Sequence, residues 1–586
     1  MKTEIYDIVI VGGGLSAVAA ALQAAADGCS VLLLADERWL GGQASSQGVS
    51  ALDEHRYIET YGTNRLYAQF RSAIRQQMAA QYGIVSPAPT YNPGNAWVSG
   101  LCYLPSVAHE VLTDMLTTTF AAARRPCTVV SETVLCGVDR LPAQISAVAW
   151  RDAAGREHRT VADIVIDASE LGDVLTHGAF THVTGAESRA DTGEALAPLV
   201  AAPHEVQSFT YGFAVEYLPG ESHRIAKPAG YEALRDRQPF TLTLHGDDGN
   251  PRPFRVFCDG PTGLPPFWTY RRLLDGSQCT PSRPDIALIN WNSNDYHDGS
   301  ILVGTPAERA HHRDAAKRLS LAFLYWMQTE MPRDDGGCGY PELRLRPDVM
   351  GTSDGLSMAP YIRESCRTPG LVRVIAEDIL ETSNPGPRAR LFADSVGIGW
   401  YPLDLHPAPG NPTSRFLPTR PFQIPLGALI PPDCVNLVLA NKNIATTHLS
   451  NGAYRLHPVE WAIGIAAGAV AAAARTTGQR PAEIWGDTSA RRQLQRHLLA
   501  VGQPLVWVLG VDAAEPILPH LQELFLAGAL DAPSPYAESL TVDLDETISA
   551  AQHAALQRAW DACVIGHPYP LRLTLRELCR AFSAAR

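Results

Sequence analysis

The sequence predicts an α/β fold: a parallel nucleotide-binding sheet begins at the N-terminus, a mixed-sheet insertion interrupts it, and a helical extension ends the chain. Three stretches predict this. Residues 8–17 read IVIVGGGLSA, residues 436–440 read NLVLA ahead of a long apolar helix, and after residue 478 the pattern turns to helical segments joined by Pro-, Gly- and Asp-rich links. The 586 residues exceed one compact core, and 46% hydrophobic residues can fill two or three.

Residues 7–11 read as a buried parallel strand and residues 16–26 as an alanine-rich helix without Pro or Gly. Between them Gly12 allows the tight turn and Gly14 lets the backbone approach a pyrophosphate. Ala17 stands where the third glycine of GxGxxG permits close helix–strand packing, and the helix start, with Leu15 and Ser16, aims free amides at phosphates. Gly28 ends the helix and residues 31–34 form the second strand. The acidic residue expected at its end is displaced: Ala35 holds the position, and Asp36 and Glu37 follow as candidates for the ribose contact.

Residues 39–48, WLGGQASSQG, place Gly41 and Gly42 just after the second strand, followed by Gln43 and Ser46. This resembles the doublet with which glutathione-reductase-type FAD proteins continue past the pyrophosphate toward the flavin; NAD domains have no counterpart. Far downstream, residues 441–468 carry small polar residues and Gly452-Ala453 into a helix with Gly464 and Gly468 four apart on one face, suited to close packing. A helix start there would aim its dipole at the flavin N1/C2 carbonyl region.

Together the two ends resemble the FAD-dependent oxidoreductase family related to thiazole-synthase and heterodisulfide-reductase flavoproteins, over about residues 4–475. Further matching stretches are VIDASELGD at 165–173, IRESCR at 362–367, DSVGIGWYPLDLH at 394–406, and 454–468. Ala35 replaces the family's usual Glu, and Cys366 replaces the second Arg of its RESRR-like stretch. The resemblance implies a glutathione-reductase-type FAD-binding Rossmann domain, FAD as cofactor, and cofactor contacts that include Ala168, Ser169 and Asn443 besides the glycine-turn residues.

Such a fold is discontinuous. Residues 1–205 are expected to form the FAD-binding domain with insertions, 206–335 a substrate domain, 336–478 the remainder of both with the flavin-facing loop and helix, and 479–586 a helical extension for packing, oligomerisation or a partner. Within the first part a helix is expected at 107–123 and strands at 128–131, 147–150 and 164–166. The stretch 205–335 is rich in Pro, Trp, Tyr and Phe, with alternation at 210–217 and 286–291 that suggests strands, and a helix over 307–331.

A net charge of −13 without a basic run disfavours nucleic acid. No secretory signal is expected at the start. The apolar run 461–474 is too short and too Ala/Gly-rich for a bilayer span and reads as a buried helix. The 11 cysteines lack any CxxC, which disfavours disulfides and zinc and places the protein in a reducing cytosol. No metal is expected.

Flavin carries the two-electron chemistry, so the protein must hold the substrate and take a proton. His448, Tyr454, Arg455 and His457 fall within ten residues of the flavin-facing loop and are the catalytic candidates. His457 serves as a base or hydrogen-bonds the turn; Arg455 binds a carboxylate or the flavin, or pairs with Glu460 on the helix. Tyr401 and His406, near Asp404, are candidates to line the pocket, with Trp268, Tyr270, Arg271, Trp291 and Tyr296 as walls for an apolar or aromatic substrate; Arg363 and Glu364 are expected to pair with each other. The leading expectation is an FAD-dependent dehydrogenase or oxidase acting on a small metabolite. A flavin monooxygenase is the second reading, although Asn441-Lys442-Asn443 replaces the Gly-Asp element of aromatic hydroxylases, and an electron-transfer or non-catalytic flavin subunit is the third.

Overall fold

The apolar run at 8–11 makes β1 (Thr3–Val11) a strand whose C-terminal half is buried on both faces, as the centre of a parallel sheet requires. The computed structural model describes residues 3–85, 88–245, 250–529, 539–564, 566–570 and 573–585. Helix α1 (Leu15–Ala26) leads from β1 to β2 (Val31–Leu34), completing the βαβ unit. Helices α2 (Arg65–Tyr82) and α3 (Pro105–Ala122) precede β3 (Cys127–Val130), which pairs parallel to β2.

The strands β4 (Val134–Leu141), β5 (Gln144–Arg151) and β6 (Glu157–Asp167) run as an antiparallel meander back into the sheet. β6 organises this region. One edge lies parallel to β1 along its length; the other takes β5 at residues 157–160 and the strand Leu437–Leu439 at 165–167. The main sheet is therefore seven-stranded and mixes parallel with antiparallel pairings. A chain segment more than 250 residues downstream thereby enters beside the glycine turn.

A second sheet, Arg272–Leu274, Ile286–Ile289, Phe213–Tyr217 and Leu343–Leu345, is antiparallel at every pairing. The mixture of directions expected in this insertion lies instead in the main sheet, and the strand expected over 210–217 begins only at Phe213, because Phe209 and Thr210 make isolated bridges to Tyr296 and Tyr361. The helix Pro306–Thr329 contributes Leu319, Phe323 and Met327 to the same apolar cluster as Phe213, Val215 and Ile289. Trp268 and Trp291 belong to that cluster, with their indole N–H groups on the Asp285 carboxylate and the Thr241 carbonyl. They are core, not pocket wall, since burying a large aromatic ring is favourable once its polar edge is satisfied.

The closing helix (His457–Thr477) is longer than the apolar run at 461–474 indicated. By length and composition it could cross a membrane, but 94% of its apolar window is buried inside the protein. It lies against α1 at van der Waals distance through its glycines: a Cβ on Gly464 would overlap the Ser16 carbonyl, and one on Gly468 the Ala20 carbonyl. The extension then threads back into the core. Leu505 and Val506 donate to Gln522, Leu505 accepts from Ser395 and Gln423, and the Trp507 indole reaches the Gly399 carbonyl.

In an isolated helix Gly→Ala adds about 1 kcal/mol of stability. At Gly464 the overlap with backbone outweighs this, so Gly464→Ala is expected to lower unfolding free energy by about 1–3 kcal/mol in urea titrations.

Candidate functional site

The glycine turn is built as a phosphate cradle. Gly12 adopts φ +121° and faces the Ala168 carbonyl closely enough that no side chain fits, and Gly41 donates to the Gly13 carbonyl at 2.7 Å, bringing the two glycine segments together. Leu15, Ser16 and Ala17 form the first turn of α1 and are fully buried. Ser169, beyond β6, donates to Asp167, whose carboxylate also takes the Val174 and Leu175 amides at the start of a short helix (Asp173–His177). Asn441 and Asn443 clamp this strand end by donating to the Ala168 and Asp167 carbonyls. Asp36 is solvent-accessible beyond β2 and turned back toward Gly13. The protein packed around it, with the Glu170 and Asp173 charges, raises its carboxyl to about 6. Glu37 beside it rises to about 7, through burial and then the Asp36 charge.

Next to the doublet, Gln43 donates to the Arg455 carbonyl and to Glu460. Ser46 accepts from the Ala359 amide, and Gln47 from that of Ile362. These bonds tie the glycine doublet to the segment 359–367, beside which a cluster of charged and polar side chains gathers.

Arg363 pairs with Asp295 at 3.0 Å, while Glu364 pairs with Arg367 and His448. The expected Arg363–Glu364 pair therefore does not form. Arg455 does not pair with Glu460 either; it reaches Asp404 at 2.9 Å and the Tyr361 hydroxyl at 2.8 Å, since it ends the helix His448–Tyr454 and lies outside the closing helix. That short helix occupies the stretch expected to be loop, and Thr447 caps it by accepting from Ser450. Gly452 lets it approach the Asp404 backbone, and Ala453 is buried in its packing.

At the centre, His406 sits between two carboxylates, Nδ1 at 2.6 Å from Asp295 and Nε2 at 3.3 Å from Asp404. Burial alone would raise Asp295 and Asp404. Cations reverse this: Arg363 and His406 hold Asp295 well below the usual carboxylate range, and His406 and Arg455 do the same for Asp404. Arg271 pairs with Asp53 at 3.3 Å and lies over the Tyr270 ring, with Tyr401 close to the same pair. The Nε atoms of Arg271, Arg363 and Arg455 are buried without an intramolecular partner.

Two other sequence candidates have structural places. Tyr454 stacks on Phe422 and donates to the Gln423 carbonyl. His457 accepts the Asp53 amide at Nδ1 and contacts the Val49 carbonyl through Nε2; burial lowers it to about 4, so it stays neutral with both ring nitrogens taken by backbone groups. His448 differs. Its Nδ1 lies 3.0 Å from Glu364, and Gln207 links the two histidine clusters, its backbone amide donating to Glu364 and its side-chain oxygen accepting from the His406 backbone amide. Asp53, Tyr361 and Asp295 escaped the sequence reading, because no local motif marks residues that meet only on folding; Arg271, a wall candidate, pairs with Asp53.

Residues 7–498 match the family described as FAD dependent oxidoreductase. The chain belongs to that family. FAD is its cofactor, and the residues present fit it: beside the cradle of Gly12, Gly14, Gly41 and Gly42, the buried Ser16 Oγ and Gln43 Oε1 have no partner within the chain. No curated protein matches the sequence. Among solved structures the chain is similar to quinol fumarate reductase FrdA of E. coli, at 11% identity and TM-score 0.31 over 95% of this chain and 87% of that one. It is also similar to a geranylgeranyl bacteriochlorophyll reductase-like protein of Thermoplasma acidophilum, at 11% identity and TM-score 0.28 over 100% of both chains. The anhydrotetracycline hydroxylase OxyS of Streptomyces rimosus gives 10% and 0.30 over 96% of this chain and 77% of that one.

Burial alone would lower His448, but the Glu364 charge overrides it and raises the imidazole; Glu364 is in turn held down to about 2 against its own burial, by His448 and Arg367. The pair's contribution is thus full at mildly acidic pH, fades as pH climbs through the raised histidine value, and on the acid side is lost only as Glu364 protonates. His448→Gln is expected to cost about 1–3 kcal/mol near pH 6, measured by urea unfolding, with the gap closing toward pH 9.

Proposed function

We propose that this FAD-dependent oxidoreductase is a dehydrogenase or oxidase that oxidises or desaturates a small molecule held by the cluster of Arg271, Tyr361, Tyr401, His406 and Arg455. The observation that carries this is the position of His406: it is held by two carboxylates, and its side chain is 18% exposed where Asp295 and Arg455 beside it are 1% exposed. When bound, FAD supplies a two-electron acceptor. The chain supplies the rest. Gly12, Gly14 and the start of α1 take the pyrophosphate, and Asn441 and Asn443 hold the strand end beside it.

Arg455 and Arg271 orient the substrate through guanidinium groups already fixed by Asp404 and Asp53, so little side-chain entropy is lost on binding. His406 relays the proton released when the substrate is oxidised, passing its Nε2 proton to Asp404, whose side chain is 21% exposed, while Asp295, pinned by Arg363 and Thr210, fixes its ring at Nδ1. The buried surroundings keep water from the reacting atoms. In this reading the protein works in the cytosol.

The test is anaerobic bleaching of the bound flavin by a panel of small metabolites. One member is expected to reduce the flavin without a nicotinamide cofactor. Rapid reduction by NADPH alone, unaffected by any member, would favour a monooxygenase. With the reducing metabolite, His406→Asn is expected to slow bleaching by about 10²- to 10⁴-fold in stopped flow while leaving the flavin spectrum and content unchanged.

A further inference from the structure

The glycine turn carries more negative charge than a pyrophosphate site needs. Glu460, in the first turn of the closing helix and 1% exposed, accepts the Ser16 amide through Oε1 at 3.3 Å and Gln43 through its other oxygen. A Cβ on Gly14 would lie 2.9 Å from Glu460 Oε1 and equally close to Glu170 Oε1, so both carboxylates converge on the backbone that a phosphate must approach. Lys442, 2.6 Å from Glu170, is the cation between them. Ser16 Oγ, fully buried and unpartnered, lies at the same place.

The first-turn amides of α1 are what a dinucleotide-binding helix offers to phosphate. An ionised carboxylate already bonded to one of them competes for the donor and repels the two negative charges of the pyrophosphate at close range. We propose that Glu460 gates cofactor loading: ionised, it occupies the Ser16 amide and opposes the pyrophosphate, and FAD binds with uptake of one proton at this carboxyl.

The groups facing Glu460 from each neighbouring element leave it as the one whose ionisation opposes the phosphate directly. From α1 and the doublet come Ser16 and Gln43, which do not titrate. From the strand Leu437–Leu439 onward come Asn441 and Lys442, whose charge the Glu170 and Glu460 carboxylates favour against burial. His457, on the same helix, is lowered to about 4 and stays neutral; Tyr361 lies beyond Lys442; Glu170 is committed to Lys442. Burial raises the Glu460 carboxyl well above the usual range, Lys442 opposes this and Glu170 adds to it. Asp36 and Glu37 beyond β2, and Asp167 and Asp173 at the end of β6, are also raised in this region but do not bond the α1 amides; Asp36, across Glu170, serves as the control.

Full-length protein stripped of flavin is titrated with FAD between about pH 6 and about pH 9, above the ordinary carboxylate range. Quenching of flavin fluorescence reports Kd, and calorimetry in buffers of different ionisation heat reports proton uptake. In the wild type, Kd is expected to weaken about tenfold per pH unit on the alkaline side, with about one proton taken up. ADP, which keeps the pyrophosphate, is expected to share the slope, and riboflavin, which lacks it, to show none. Glu460→Gln is expected to bind FAD at least about tenfold tighter near pH 8 with a flat profile, and Asp36→Asn to keep the slope. A wild-type Kd independent of pH with no proton uptake overturns the proposal, as does a slope that survives in Glu460→Gln or vanishes in Asp36→Asn. The wild-type measurements decide the matter even if a variant fails to fold.

Discussion

The contact between the closing helix and α1 is the constraint on which the rest depends. Two helices separated in sequence by more than 400 residues approach through Gly464 and Gly468 until the backbone of one lies on the carbonyls of Ser16 and Ala20 in the other. Side chains of ordinary size would hold them apart, at the 8–10 Å typical of helix pairs or beyond. That approach puts Glu460 at the start of α1, His457 against the 49–53 backbone, and residues 441–455 beside the glycine doublet. Cofactor cradle and candidate site share this one contact.

Charge in the interior follows a consistent rule. Each buried guanidinium in the cluster has its own carboxylate, Arg271 with Asp53, Arg363 with Asp295, Arg455 with Asp404, and each pair joins different parts of the chain. Buried pairs of this kind contribute little net stability relative to apolar replacements, because desolvation offsets attraction. They do fix orientation, and orientation is what a site acting through preset donors requires. His406, between two of these carboxylates, is held by the pairs on either side of it.

Much of the fold was legible in the chain. The β-branched run before Gly12, the alanine-rich α1, the doublet at Gly41 and Gly42, and the spaced glycines of the closing helix each state a local requirement that only a few residue types satisfy. The site was legible in part. Arg455, Tyr401 and His406 stood out as polar residues in motif-like stretches and lie in one polar cluster around Asp404. Tyr454 and His457 stood out equally and turned out to be packing and bridging groups, because a hydrogen-bonding side chain looks the same in sequence whether its partner is a substrate or a backbone carbonyl. Trp268 and Trp291 were misread for the related reason that aromatic content cannot separate a pocket wall from a core.

By itself, then, the sequence determined the parallel sheet, the dinucleotide turn, the choice of FAD and the family, since these rest on spacing along one chain and on backbone conformations open to glycine. The tertiary structure alone decided which charges meet. Arg363 finds Asp295 while Glu364 finds Arg367 and His448, Arg455 finds Asp404 because the short helix ends at it and the closing helix begins only at His457, and Glu460 reaches Ser16 because two glycine-faced helices touch. Such pairings are set by distances through space, and no pattern in the order of residues records them.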